Sequence, residues 1–270
     1  MEIILDREKY YFETVTNNKQ PSQWLLLHGF MGSHHDFDAV IPYLNGTILL
    51  PDLLGHGKSR TSAPYTRYYI DRQIDDLAGL IKQRMNPPIN LWGYSMGGRL
   101  ALGLTLKHPK LVKRLVLESS TAGITSSVER LNRRQHDQQL AKTLKQGNLF
   151  EFVSAWENLK LFASQKRLSL NRQKFIHQQR MGQDSICLAN SLLGMGTGTM
   201  PNYWPQLHEL DLPVTLLAGA LDSKYTKLTA QMEKILPCGQ RHIVRAAGHN
   251  THLEQPFMTA KIIKQEEHYK

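Results

Sequence analysis

Six short apolar runs, each closing on a small or polar residue, limit most strongly how this chain can fold: QWLLLHGF, GTILLPD, INLWGYS, KRLVLESS, PVTLLAGA and RHIVRAAGH. Nearly continuous apolar stretches of this length read as parallel strands buried on both faces, because helices cover both sides of such a sheet. Between them, YIDRQIDDLAGLIKQRM (69–85) and GGRLALGLTLKHP (97–109) carry apolar residues at helical spacing. Strand and helix alternate, so the chain is expected to be α/β, with a mostly parallel central sheet flanked by helices.

The alternation breaks after Ser120. From 121 to 207 the sequence is rich in Gln, Arg and Lys and in helical patterns such as SVERLNRRQHDQQLAKTLKQ and NLFEFVSAWENLKLF; strand patterning resumes at Leu212. This predicts a core of 1–120 and 208–270 with a helical cap, 121–207, inserted over the carboxyl ends of the strands, where ligands of open α/β sheets sit.

Composition narrows the class of function. In 270 residues, 41% are apolar and 21% charged, a globular balance with enough chain for a sizeable core. No run reaches the roughly 18–20 apolar residues of a membrane span, and MEIILDREKYYFE lacks the order of a signal peptide, so a soluble, cytoplasmic protein is expected. Cys187 and Cys238 have no metal-ligand spacing and read as free thiols of a reducing compartment. The net charge of +10 is scattered, with RLNRRQ (130–135) its densest cluster. A solvated basic surface or an anionic small substrate explains it better than nucleic acid. The oligomeric state is left open.

Gly93-Tyr94-Ser95-Met96-Gly97 matches G-x-S-x-G, with a predicted strand before it and a helix after it. In such an elbow the serine hydroxyl is lifted above the sheet, while side chains at the glycines would collide with neighbouring elements. A serine needs an imidazole to take its proton and a carboxylate to fix that imidazole's tautomer. His249 follows the last strand in IVRAAGHNTHLEQP; His252, three residues on, reads as structural or solvated. Asp222 ends the preceding strand pattern and gives the order Ser95, Asp222, His249. It is favoured over Asp52, Asp184 and Asp211. LLLHGF places the N–H of Phe30 beside that of Met96 as an expected oxyanion hole, with His28 as a buried turn residue. No HExxH or comparable cluster calls for a metal.

With these residues assembled, the chain resembles the α/β-hydrolase superfamily over almost its full length, in HGF, DLLGHGKS, GYSMGG, the helical insertion, LDSK and AGHNTH. Within it, GMGTGTMPNYW (194–204), ERLNRRQHDQQLA (129–141), FVSAWENLKLF, HQQRMGQD and the GGR after the elbow are similar to the 2-succinyl-6-hydroxy-2,4-cyclohexadiene-1-carboxylate synthase family of the menaquinone pathway. The resemblance implies substrate-binding roles for Arg99, Arg133, Arg180, Tyr94 and Trp156, with Arg134 the alternative to Arg133. Physical chemistry agrees with the type of residue, since three carboxylates in a water-poor pocket favour planar, bidentate guanidinium groups.

The resemblance implies a lyase rather than a hydrolase. Ser95, activated by His249, would remove a ring proton alpha to a carboxylate, and electron flow would expel pyruvate without metal or organic cofactor. The rival readings are a cap-bearing esterase or carbon–carbon-bond hydrolase, favoured by an apolar pocket, and a non-catalytic ligand-binding protein, disfavoured by the complete triad.

Overall fold

The computed structural model describes residues 1–18 and 21–267. A hairpin, β1 (Glu2–Leu5) and β2 (Glu8–Asn17), precedes β3 (Gln23–Leu27), β4 (Gly46–Pro51), α1 (Ile70–Arg84), β5 (Ile89–Tyr94), α2 (Met96–Lys107) and β6 (Val112–Glu118). Four α-helices then intervene: α3 (Ser127–Lys145), α4 (Leu149–Glu157), α5 (Leu170–Met181) and α6 (Ser185–Met195). The sheet resumes with β7 (Val214–Gly219), α7 (Ser223–Glu233) and β8 (Gly239–Val244), and α8 (Thr251–Glu254) and α9 (Pro256–Glu267) follow.

The eight strands form one sheet in the order β1-β2-β4-β3-β5-β6-β7-β8. The six apolar runs became β3 to β8, all parallel, and the two hairpin strands extend the sheet antiparallel at the β4 side. Each central strand feeds two cores. Leu25, Leu27, Leu91 and Leu117 pack with Ile74, Leu77 and Leu100 on one face. Trp24, Leu26, Trp92 and Val116 pack with Phe37, Val40 and Ile263 on the other. Burial on both sides is why these strands show no alternation of polar and apolar residues.

Sequence reading missed the β1–β2 hairpin. Its two-residue turn, Asp6-Arg7, has positive φ at both positions, 43° and 67°. That turn geometry is usually announced by Asn-Gly or Asp-Gly, and arginine in the second place hides it.

β6 and β7 are sheet neighbours, so α3 to α6 are an insertion between adjacent strands. These helices have an apolar cluster of their own, with Ala141, Leu144, Phe152, Val153, Leu188 and Leu192 around Met31 of the β3–β4 connection. Among the described residues, no helix is long and apolar enough to cross a membrane.

Ser95 sits between β5 and α2 with φ 50° and ψ −104°, a conformation costing about 1–3 kcal/mol for a non-glycine residue. The surroundings hold it there: its N–H donates to the Glu118 carbonyl at 2.8 Å, and Ser120 Oγ donates to its own carbonyl at 3.0 Å. The glycines allow this close approach. A Cβ on Gly93 would overlap the backbone of Gly97, and one on Gly97 would overlap the carbonyls of Leu27 and His28. Because the obstacles are backbone, Gly97→Ala is expected to cost at least ~2 kcal/mol in urea unfolding; a loss under about 0.5 kcal/mol would show that the elbow has slack.

Candidate active site

The structure brings Ser95, His249 and Asp222 together from three connections at the carboxyl edge of the sheet. His249 Nε2 lies 3.0 Å from Ser95 Oγ, and His249 Nδ1 lies 2.8 Å from Asp222 Oδ2. His249 and Asp222 are buried, whereas Ser95 is half-buried. Asp222 is fixed in turn, because its other carboxylate oxygen caps α7 by accepting from the Tyr225 N–H at 3.2 Å. Its rivals are elsewhere: Asp52 accepts from the His34 and Lys58 N–H groups, Asp184 caps α6, and Asp211 is exposed.

Phe30 and Met96 flank the serine. The Met96 N–H opens α2 and is one of the four donors a helix leaves free; neither it nor the Phe30 N–H has a protein acceptor among the described residues. His28 is buried behind them, accepting from the Leu53 N–H at 2.9 Å, as expected of a turn residue.

A cavity of about 200 Å³ opens on Ser95 and His249, with Phe30, Tyr94, Met96, Trp156 and Phe162 in its wall. Arg99 and Arg133 also line it. Arg99 projects from the otherwise apolar first two turns of α2, is buried, and donates to the carbonyl of Met195. It makes no ion pair among the described residues. Burial, and then repulsion from Arg133, lower its pKa to about 10, so it stays charged at neutral pH. Arg133 is steadied one helical turn away by Asp137, with Nε at 2.9 Å from Oδ1. Arg134 is exposed and lies outside the cavity wall, so Arg133 is the cation the cap helix presents.

Trp156 stacks on Phe152, meets Phe30 edge-on and Phe162 at a tilt, and its buried indole N–H has no partner among the described residues. Tyr94 lies beside the His249 ring, 5.5 Å between centroids, with burial raising its pKa so that the phenol stays protonated. Arg180 is not brought into this cavity. Its guanidinium sits 4.8 Å over the Phe162 ring, held by Glu157 at 3.3 Å and Gln165 at 3.0 Å, and it lines a smaller cavity that shares Phe30, Tyr94 and Phe162 with this one.

Sequence reading also missed part of the wall. His136, Ser191, Thr197, Lys224 and Tyr225 line the cavity, and Arg133, Thr197, Lys224 and Tyr225 continue into an adjoining groove of about 560 Å³. Lys224 and Tyr225 directly follow Asp222-Ser223, where the start of a helix was the visible signal. Among the described residues, no group of three or more His, Cys, Asp and Glu side chains is placed to hold a metal.

The alpha/beta hydrolase fold family matches the chain over residues 25–256. The chain is 31% identical over 246 residues to the 2-succinyl-6-hydroxy-2,4-cyclohexadiene-1-carboxylate synthase of Pectobacterium atrosepticum, covering 89% of this chain and 92% of that one. The chain belongs to this synthase family. A Bacillus subtilis protein provisionally given the same name is 39% identical over 242 residues, 88% of each chain. The structure of MenH from S. aureus superposes with a TM-score of 0.90 at 32% identity, covering 96% of this chain and 98% of that one. This membership agrees with the α/β architecture and the helical insertion expected from the sequence.

Two substitutions test the electrostatics of this member of the synthase family. An unpaired buried cation adds little stability, so Arg99→Met should change the unfolding free energy by less than about 1 kcal/mol. It should also weaken binding of a dicarboxylate such as succinate at least ~10-fold, as the loss of a charge-assisted contact demands. A destabilisation of about 3–5 kcal/mol would instead mark Arg99 as half of a structural ion pair.

His56, beside His28 and Phe30, has its pKa lowered to about 3 by burial and by His28. It is neutral in the fold but protonates below about 6.5 when unfolded, so its contribution is complete above that pH and is lost as pH falls towards 3. His56→Gln should flatten the stability profile across that window; an unchanged slope would place the acid sensitivity elsewhere.

Proposed function

We propose that this chain is a lyase that converts 2-succinyl-5-enolpyruvyl-6-hydroxy-3-cyclohexene-1-carboxylate to 2-succinyl-6-hydroxy-2,4-cyclohexadiene-1-carboxylate and pyruvate, in menaquinone biosynthesis. The observation that carries the reading is the pair of arginines, Arg99 and Arg133, in the wall of the serine cavity, with Arg99 in no direct ion pair among the described residues and Asp137 bound to Arg133. An esterase or carbon–carbon-bond hydrolase acting on a neutral substrate has no use for two mutually repelling cations there. A substrate with three carboxylates does.

The names of substrate and product locate the chemistry. Turning a 3-ene with a 5-enolpyruvyl group into a 2,4-diene removes the hydrogen from C2 and breaks the C5–O bond. C2 carries the succinyl carbonyl, so the proton is alpha to a ketone rather than to a carboxylate, as the sequence reading had it. His249, oriented by Asp222, takes the Ser95 proton, and the Ser95 oxygen takes the C2 proton. The C–H pair becomes the C2–C3 double bond, the old double bond shifts to C4–C5, and enolpyruvate leaves with the C5–O pair. The proton held at the site then converts enolpyruvate to pyruvate. Negative charge building on the ketone oxygen falls to the N–H groups of Phe30 and Met96; preorganised donors of this kind are worth about 3–4 kcal/mol each.

In this reading, Arg99 and Arg133 hold carboxylates, and Tyr94 and Trp156 shape the wall and offer hydrogen bonds. Arg180 acts as an outer cation from the adjoining smaller cavity. Residues 121–207 serve as the cap over a core of 1–120 and 208–270, a division supported by the adjacency of β6 and β7. The two free cysteines support a cytoplasmic location.

The test is the purified protein with the cyclohexene precursor, following pyruvate release and diene absorbance together; the two signals should rise in equal amounts. Ser95→Ala should lower kcat by about 10³-fold or more while KM moves less than about threefold. Unchanged turnover would remove the serine from the mechanism, and ester or carbon–carbon hydrolysis without pyruvate release would favour the hydrolase.

A further inference from the structure

Glu118 ends β6 and is fully buried, yet its carboxylate is surrounded by donors. Oε1 accepts from the Thr251 N–H at 2.6 Å, Thr251 Oγ1 at 2.8 Å and the His252 N–H at 3.1 Å. Oε2 accepts from Trp92 Nε1 at 3.0 Å and faces His252 Nδ1 at 2.8 Å. The Glu118 carbonyl meanwhile accepts from the Ser95 N–H. One residue therefore holds the main chain under the serine and the segment directly after His249.

Glu254 secures the same segment from the other side, accepting from the Gly248 N–H at 2.8 Å and the Asn250 N–H at 3.3 Å. Burial opposes the charge on Glu118. Attraction to His252 and the hydrogen bonds from His252 and Thr251 outweigh it and hold the carboxylate below its usual range.

We propose that Glu118 is a positioning residue for the elimination: its ionised carboxylate pins Thr251 and His252 and so sets the reach and aim of His249 on Ser95. The inference rests on the elimination reading. Five polar contacts converge on the two oxygens, three on Oε1 and two on Oε2, and among side chains of this size only a carboxylate presents acceptors at both places. Glutamine keeps one such oxygen and turns an NH2 group against N–H groups that cannot retreat. The segment must then shift, and a misplacement of about 1 Å in a proton-transfer pair can cost 10²-fold in rate.

The test is a double-mutant cycle on the full chain, reading pyruvate release. Glu118→Gln should lower kcat about 30- to 100-fold with KM within about threefold, because the cations that bind substrate stand on other elements. In a His249→Ala background the same substitution should change the residual rate less than about twofold. Thr251→Val removes one donor and adds none, so it should repeat the pattern at a severalfold loss even where Glu118→Gln fails to fold. Equal losses with and without His249, or a change confined to KM, would overturn the proposal.

A wild type that releases no pyruvate would defeat the elimination reading, and nitrogen-15 spectra of His249 would then decide the positioning claim. Retention in the variants of the tautomer protonated toward Asp222, with an unaltered ring environment, would overturn it. Loss of that state in both variants would support it.

Discussion

Everything at the active site depends on the backbone of Ser95, held where a side-chain-bearing residue does not rest by itself. Its positive φ turns the chain from β5 into α2 within one residue and leaves the hydroxyl above the sheet. The glycines at 93 and 97 admit the neighbouring backbone, and Glu118 and Ser120 hold the two ends of the peptide. Strain here is offset by a core built on both faces of the sheet, which gives the turn no softer place to relax.

That fixed serine meets a cavity whose electrostatics do not favour the empty protein. Arg99 is desolvated and faces the charge of Arg133, and the carboxylate between them, Asp137, is hydrogen-bonded to Arg133 and acts on Arg99 only through space. A guanidinium left in this state stabilises an anion entering the cavity more than it stabilises the fold. The aromatic side chains in the same wall, Phe30, Trp156 and Phe162, strengthen each charged contact once a ligand excludes water. In the proposed reaction, binding of an anion and loss of a carbon-bound proton would thus be supplied by different elements: α2 and α3 would hold the acid groups, while the residues after the strand ends would move the proton.

Much of this was legible in the sequence because the chemistry sits at strand ends. Parallel strands buried on two sides write themselves as apolar runs, and Ser95, Asp222 and His249 each follow one. The β1–β2 hairpin was not legible, because its turn uses Arg7 where glycine would have signalled it. Glu118 was hidden as the last letter of an apolar run, since nothing local tells a buried hub from a strand terminus. Choosing between Arg133 and Arg134 required the rotation of α3, which a mostly polar helix does not reveal. Arg180 shows the converse limit: a motif can place a cation on a helix, but the Glu157, Phe162 and Gln165 side chains that hold it outside the serine cavity belong to other segments.

The central claim is that the serine and imidazole remove hydrogen from the ring carbon bearing the succinyl group. Substrate carrying deuterium at that carbon tests it most directly. The account predicts slower pyruvate release and one deuterium lost from the ring, to solvent or to the pyruvate methyl group, for each pyruvate formed. A diene that keeps the deuterium, or pyruvate released at the same rate with the label in place, would contradict it.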